Sequence, residues 1–133
     1  MEKSFPRDLG ALDSIFGFVD ECMRYYHIEP QNGSSVEFII EELFTNMVKY
    51  SRPAGGEICI NISRRDNQCV IVLTENDVDL FDITKVPEVD VKKPLKDRRP
   101  GGLGIFLVRK MADQLEYDYT NRRSRITIVK NLE

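Results

Sequence analysis

Glu42-Leu-Phe-Thr-Asn46, inside the apolar-patterned run from Val36 to Tyr50, and Arg98-Arg-Pro-Gly-Gly-Leu-Gly-Ile-Phe-Leu-Val108 are the two most informative stretches of this 133-residue chain. A carboxylate and a carboxamide at i and i+4 leave a helix on the same side and can reach one ligand. At about 100° per residue, Val36, Ile40, Leu43 and Met47 share one narrow arc. Glu42 and Asn46 fall on its flank, at the border of the core. Gly101, Gly102 and Gly104 let a backbone approach phosphates closely, and Ile105 to Met111 reads as a helix whose N-terminal amides face such an anion. Each segment alone is weak, since an isolated ExxxN is usually a surface pair and glycine-rich loops are common. Gly-Gly-Leu-Gly matches neither the P-loop pattern nor GxGxxG, which argues against P-loop and Rossmann readings.

Helical and strand periods surround these segments without an internal repeat. Leu9, Leu12, Ile15, Phe16, Val19 and Met23 recur at three- and four-residue steps, so an amphipathic helix of about four turns is expected from near Asp8. Asn32-Gly-Ser-Ser punctuates, with Ser34 or Ser35 expected to cap a second helix that ends near Tyr50 before Ser51-Arg-Pro-Ala-Gly-Gly. Glu57 to Ser63 and Gln68 to Thr74 read as strands joined by a turn at Arg64-Arg-Asp-Asn, and Leu115 to Thr120 with Ser124 to Lys130 as a second hairpin. Residues 83–100 lack periodicity and form a long loop. Antiparallel strand pairs, helices and no βαβ run argue an α+β domain over 1–133, a two-layer α/β sandwich with a mostly antiparallel sheet and helices on one face.

A chain of this length with 41% hydrophobic residues suits one core. A net charge of −3 gives no general attraction to nucleic acid or anionic membrane. Cys22, Cys59 and Cys69 are odd in number and lack CxxC spacing, so neither a disulfide framework nor a zinc site is suggested. A reducing, cytoplasmic setting is expected, with no membrane span and no signal peptide. His27, the only histidine, removes any catalytic histidine pair and reads as a helix-end surface residue.

The order of the segments resembles the GHKL ATP-binding (Bergerat) fold and, within it, the bacterial anti-sigma-factor serine/threonine kinases of the RsbW type. Glu42-Leu-Phe-Thr-Asn46 is similar to the family's N-box, and Gly102-Leu-Gly104 followed by Ile-Phe-Leu-Val-Arg to its second glycine box. Phe5-Pro-Arg-Asp-Leu-Gly-Ala-Leu-Asp-Ser-Ile resembles the first strand and helix, and Arg125-Ile-Thr-Ile-Val-Lys130 the last strand. The resemblance implies ATP or ADP bound with Mg2+ and phosphoryl transfer to a serine or threonine of a partner. The partners it implies are a sigma factor, an anti-sigma-factor antagonist protein, or both, with a homodimer as the assembly.

By the same resemblance Glu42 is the catalytic base and Asn46 the magnesium ligand, its carboxamide oxygen suiting a hard cation. Nucleotide contacts are carried over to Asn46, Lys49, Asn76 and Phe81. Further contacts fall to Arg99, Gly101, Gly102, Leu103, Gly104 and Ile105. Lys92, Lys93, Lys96, Arg98 and Arg99 look like an ATP lid, the alternative being a solvated basic loop. Thr127 corresponds either to a phosphate-side threonine or to a plain strand residue. Asp79 and Asp82 form a carboxylate pair only if they are not simply solvated.

The first glycine box departs from the family. Anchored on Phe81-Asp82, Asn76 stands for the aspartate that accepts the adenine amino group and Val78 for the following glycine. A register slip would recruit Asp77 or Asp79. Two readings follow: an ATP-dependent protein kinase, favoured by Glu42, Asn46 and Gly102-x-Gly104, and a non-catalytic module that sequesters a partner, favoured by Asn76 and Val78. A sensor-kinase fragment is a distant third.

Overall fold

The computed structural model describes residues 1–53, 55–81 and 102–132. Strand β1 (Glu2–Pro6) leads through a 3-10 turn (Leu9–Ala11) into helix α1 (Leu12–Tyr25) and helix α2 (Pro30–Tyr50). Strands β2 (Glu57–Arg65) and β3 (Gln68–Glu75) follow, then helix α3 (Gly102–Met111) and strands β4 (Gln114–Thr120) and β5 (Arg123–Asn131). The five strands form one sheet in the order β1-β2-β3-β5-β4. Every neighbouring pair is antiparallel. This is the α+β sandwich expected from the alternation of periods.

Several boundaries differ from expectation: β2 runs on to Arg65, which leaves Asp66-Asn67 as the turn, and α3 opens at Gly102, three residues before Ile105. Asp8 caps the 3-10 turn, accepting from the Gly10 amide at 3.1 Å, and the α-helix proper begins only at Leu12. Helix α2 starts at Pro30, a full turn before Ser34 and Ser35, which lie inside it and do not cap it. Proline is pre-set for a helix's first turn, where its missing N–H costs nothing, and this outweighs the serine signal.

Alternation along the strands fixes which sheet face is covered. Ile58, Ile60 and Ile62 of β2, Cys69, Ile71 and Leu73 of β3, and Ile126 and Ile128 of β5 are buried. They form one core with Ile15, Val19 and Cys22 of α1, Val36, Ile40, Leu43 and Met47 of α2, and Ile105 and Val108 of α3. Burying Ile105 and Val108 anchors α3 beside α2, which sets its opening turn against Glu42. All three cysteines are free. Among the described residues no helix is long and apolar enough to cross a membrane.

Candidate functional site

On α2, Asn46 is 6% exposed and Glu42 half-buried, so the pair stands at the core's edge as its helical spacing requires. The Asn46 Nδ2 donates to the Glu42 carbonyl oxygen at 2.7 Å. A carbonyl only accepts, so this bond fixes the carboxamide's orientation and leaves Oδ1 as the atom a cation can take. The Glu42 carboxyl is pushed up from the ordinary range by burial, then by neighbouring Glu41, with Lys49 pulling the other way. A carboxylate so raised is a stronger base.

Glycine and glutamate meet here. A Cβ placed on Gly104 would lie 2.0 Å from the Glu42 Oε2 and 2.7 Å from its Cδ. Glu42 of α2 and Gly104 of α3, far apart in sequence, therefore converge on one point at the first turn of α3. Ile105, the next residue, is buried beneath that turn, while Lys49 is exposed in the last turn of α2. Phe81 is half-buried and stacks on Tyr50, with ring centroids 5.7 Å apart and planes inclined by 18°. Its amide donates to the Tyr117 hydroxyl at 3.3 Å. Gly102 and Leu103 open α3. Arg99, Gly101, Asp82 and the basic loop at 83–100 lie outside the described residues.

Two expected residues are not brought to this point. Thr127 pairs with Val72 and Glu116, out of phase with buried Ile126 and Ile128, so it stands on the sheet face away from the helices. Asn76 is exposed and lines a recess of about 440 Å³ with Ser4, Cys59 and Thr74, which belong to that same outer face. Val78 is 1% exposed and belongs to the interior. Its amide donates to the Arg122 carbonyl at 3.1 Å and its carbonyl accepts from the Tyr119 hydroxyl at 2.7 Å. Positive φ falls one residue earlier, at Asp77 (58°), so position 78 needs no glycine. Asp79 is exposed and pairs with Arg122 at 2.8 Å.

Where the helix-facing side of β3 ends, the structure holds a carboxylate that the motif alignment passes over. Glu75 continues the inward series Ile71 and Leu73, and its side chain is 2% exposed. Arg7, itself 5% exposed, forms an ion pair with it and also donates to the Met47 carbonyl at 3.2 Å. Ser51 Oγ donates to the second carboxylate oxygen at 2.8 Å. Burial pushes the Glu75 carboxyl up, and the Ser51 and Arg7 contacts pull it back. Directly opposite Glu75 in the sheet is Ser124, a buried polar residue on the same face. Period-two counting from Ile71 and from Ile128 was the signal that could have found both residues.

A helix-flank Glu/Asn pair thus meets a glycine turn on an α/β sandwich whose antiparallel sheet is covered on one face. The family described as histidine kinase-like ATPase domain matches residues 5–130, and the chain belongs to it. Within it, the chain is similar to the serine-protein kinase RsbW of Halalkalibacterium halodurans, 28% identical over 85 residues, which cover 61% of this chain and 52% of that protein. RsbW of Bacillus cereus is 29% identical over 86 residues, covering 61% and 53%. The chain thus spans about half the length of the curated relatives it matches. The solved structure of Acinetobacter baumannii histidine kinase AdeS aligns over 100% of this chain and 68% of its own, with a TM-score of 0.54 at 15% identity, a likeness of fold.

Proposed function

We propose that this chain is an ATP- and magnesium-dependent serine/threonine protein kinase that acts as an anti-sigma regulator by phosphorylating a small antagonist protein. The observation that carries the reading is the Glu42 carboxylate lying against the first turn of α3, with Asn46 one turn along the same helix. The residues fit the group: Asn46 offers an oxygen in fixed orientation, and Gly104 offers a backbone without a side chain. Magnesium, when bound, supplies positive charge to the phosphate oxygens. Asn46 would hold it, and the first-turn amides of α3 would receive phosphate oxygens. Glu42 would take the proton of the attacking hydroxyl at its carboxylate as the new O–P bond forms and the bond to ADP breaks. Its upward-shifted pKa suits that task.

Calorimetric titration with ATP, with and without magnesium, tests the binding half. Asn46→Ala should abolish the magnesium dependence while the protein stays folded, and unchanged dependence in that variant sinks the assignment. Glu42→Gln should keep ATP affinity and lower transfer by roughly two to four decades. Transfer should also fall as pH drops through the Glu42 pKa, which lies above the ordinary range, because a protonated carboxyl accepts no proton.

A second reading has its own observation. Arg7 and Ser51 already occupy the inward carboxylate of β3, and Val78 fills the interior, as a chain that retained the fold without turnover would show. Under that reading the chain sequesters a sigma factor or antagonist. ATP-independent binding of the partner by wild type, with no transfer, would favour it.

A further inference from the structure

Gly104 differs from Gly10, Gly17, Gly33, Gly55 and Gly56. Gly55 and Gly56 have positive φ, and a Cβ there would meet nothing within 4 Å. Gly17 likewise faces open space, and Gly10 and Gly33 would meet side-chain atoms no closer than 3.3 Å. Gly104 has no positive φ and sits in the opening turn of α3, where glycine is about 1 kcal/mol poorer than alanine. Backbone conformation therefore gives no reason for glycine at this position. Space does: the Glu42 carboxylate occupies the volume that a Cβ would fill, at 2.0 Å from its centre.

We infer that Gly104 is a positioning residue for Glu42: by lacking a side chain it lets the Glu42 carboxylate dock on the first turn of α3. The role rests on the kinase reading of Glu42. It differs from making room for phosphate, since the atoms in the way belong to the protein. Contacts of a real Cβ essentially never fall below 3.0 Å, so alanine at 104 obliges the carboxylate to withdraw by about 1 Å or swing away. Glutamate is flexible enough to do this without unfolding the domain. A displacement of that size in a reacting group can cost on the order of a hundredfold in rate.

Two measurements test this on the full chain. The first is a thermal double-mutant cycle of Gly104→Ala with Glu42→Ala, read without nucleotide. In the Glu42→Ala background the added methyl loses its clash, since no atom outside Glu42 lies within 3.4 Å of it, so Gly104→Ala should raise Tm by a few degrees through helix propensity. In the wild-type background the rise should shrink or reverse. An equal rise in both backgrounds overturns the inference, whatever the fate of the kinase reading. The second measurement is activity: Gly104→Ala should lower transfer by about two decades while ATP affinity changes by less than a few fold. The acid limb of the pH profile should move down, because the burial that raises the Glu42 pKa is relieved. Loss of ATP affinity without coupling in the melts would mean that Gly104 serves the phosphates alone. Coupling in the melts with no transfer by wild type would leave the contact established and fail the kinase reading instead.

Discussion

The two ends of the candidate site use their carboxylates in opposite ways. Glu42 forms no salt bridge among the described residues and stands half-buried beside a glycine turn. Glu75 lies on the same side of the sheet but is enclosed, with one oxygen taken by Arg7 and the other by Ser51. No described cation holds the Glu42 carboxylate, whereas at the second end a ligand must first displace a protein partner. Asn76, which the motif alignment assigns to that second end, points into the outer recess instead. The proposed chemistry falls where α2 meets α3, and the end of β3 is a fastening in which Arg7 and Ser51 hold the β3 carboxylate beside the last turn of α2.

The comparison breaks most sharply at Arg7. Arg7→Ala leaves a buried carboxylate without its cation and removes one of the two donors to the Met47 carbonyl, the other being the Ser51 amide, so unfolding in urea should show a loss of about 3–5 kcal/mol. Retained stability would mean that the Arg7–Glu75 contact fastens nothing. The pH dependence sharpens the point. The Glu75 pKa is raised on folding, so its titration adds stability below the unfolded glutamate value of about 4.3, and the gain is lost as pH rises through the folded value. Wild type should therefore gain Tm relative to Glu75→Gln as pH falls from neutrality toward that value. A constant difference across the window removes the shift.

Next in size is Val78. Restoring the family residue with Val78→Gly removes a buried side chain and adds unfolded-chain freedom, together costing roughly 2–4 kcal/mol. Asn76→Asp is exposed and should stay within about 0.5 kcal/mol. On sequence alone, restoring both residues would tighten ATP binding by supplying an acceptor. With Asn76 on the outer face, ATP affinity in the folded double variant should not change. A tighter complex would return Asn76 to the nucleotide and undo the contrast between the two ends.

How much was legible follows from the same residues. The four strands of the two hairpins, α2 and the body of α3 from Ile105 were readable because apolar periodicity is a local property of the chain, whereas β1 came from family resemblance alone. The Glu42–Asn46 pairing was readable for the same reason. Its meeting with Gly104 is long-range and rested on family order, not on any residue pattern. Two local signals were overruled by motif alignment. Period two places Glu75 and Ser124 inward, and Asn76 and Thr127 out of phase with them. Anchoring on Phe81 chose Asn76, and family correspondence chose Thr127. Arg7 was not legible at all, since nothing near it in sequence says that a loop arginine will fold under α2 onto β3.

The smallest effect tests how the segment beyond β3 is held. Tyr119 on β4 donates its hydroxyl to the Val78 carbonyl at 2.7 Å, and the Val78 amide donates to Arg122 in the β4–β5 turn. Tyr119→Phe keeps the ring and removes one hydrogen bond, which should cost about 0.5–1.5 kcal/mol. If the hairpin clamps this segment, the cost is local: amide exchange at Val78 should accelerate, while exchange in α2 around Glu42 stays slow. The exposed Asp79–Arg122 pair makes a control, since Asp79→Asn should leave Tm unchanged within error. Acceleration spreading equally to α2 would show that the two ends of the site open as one unit, and the division drawn between them would fail.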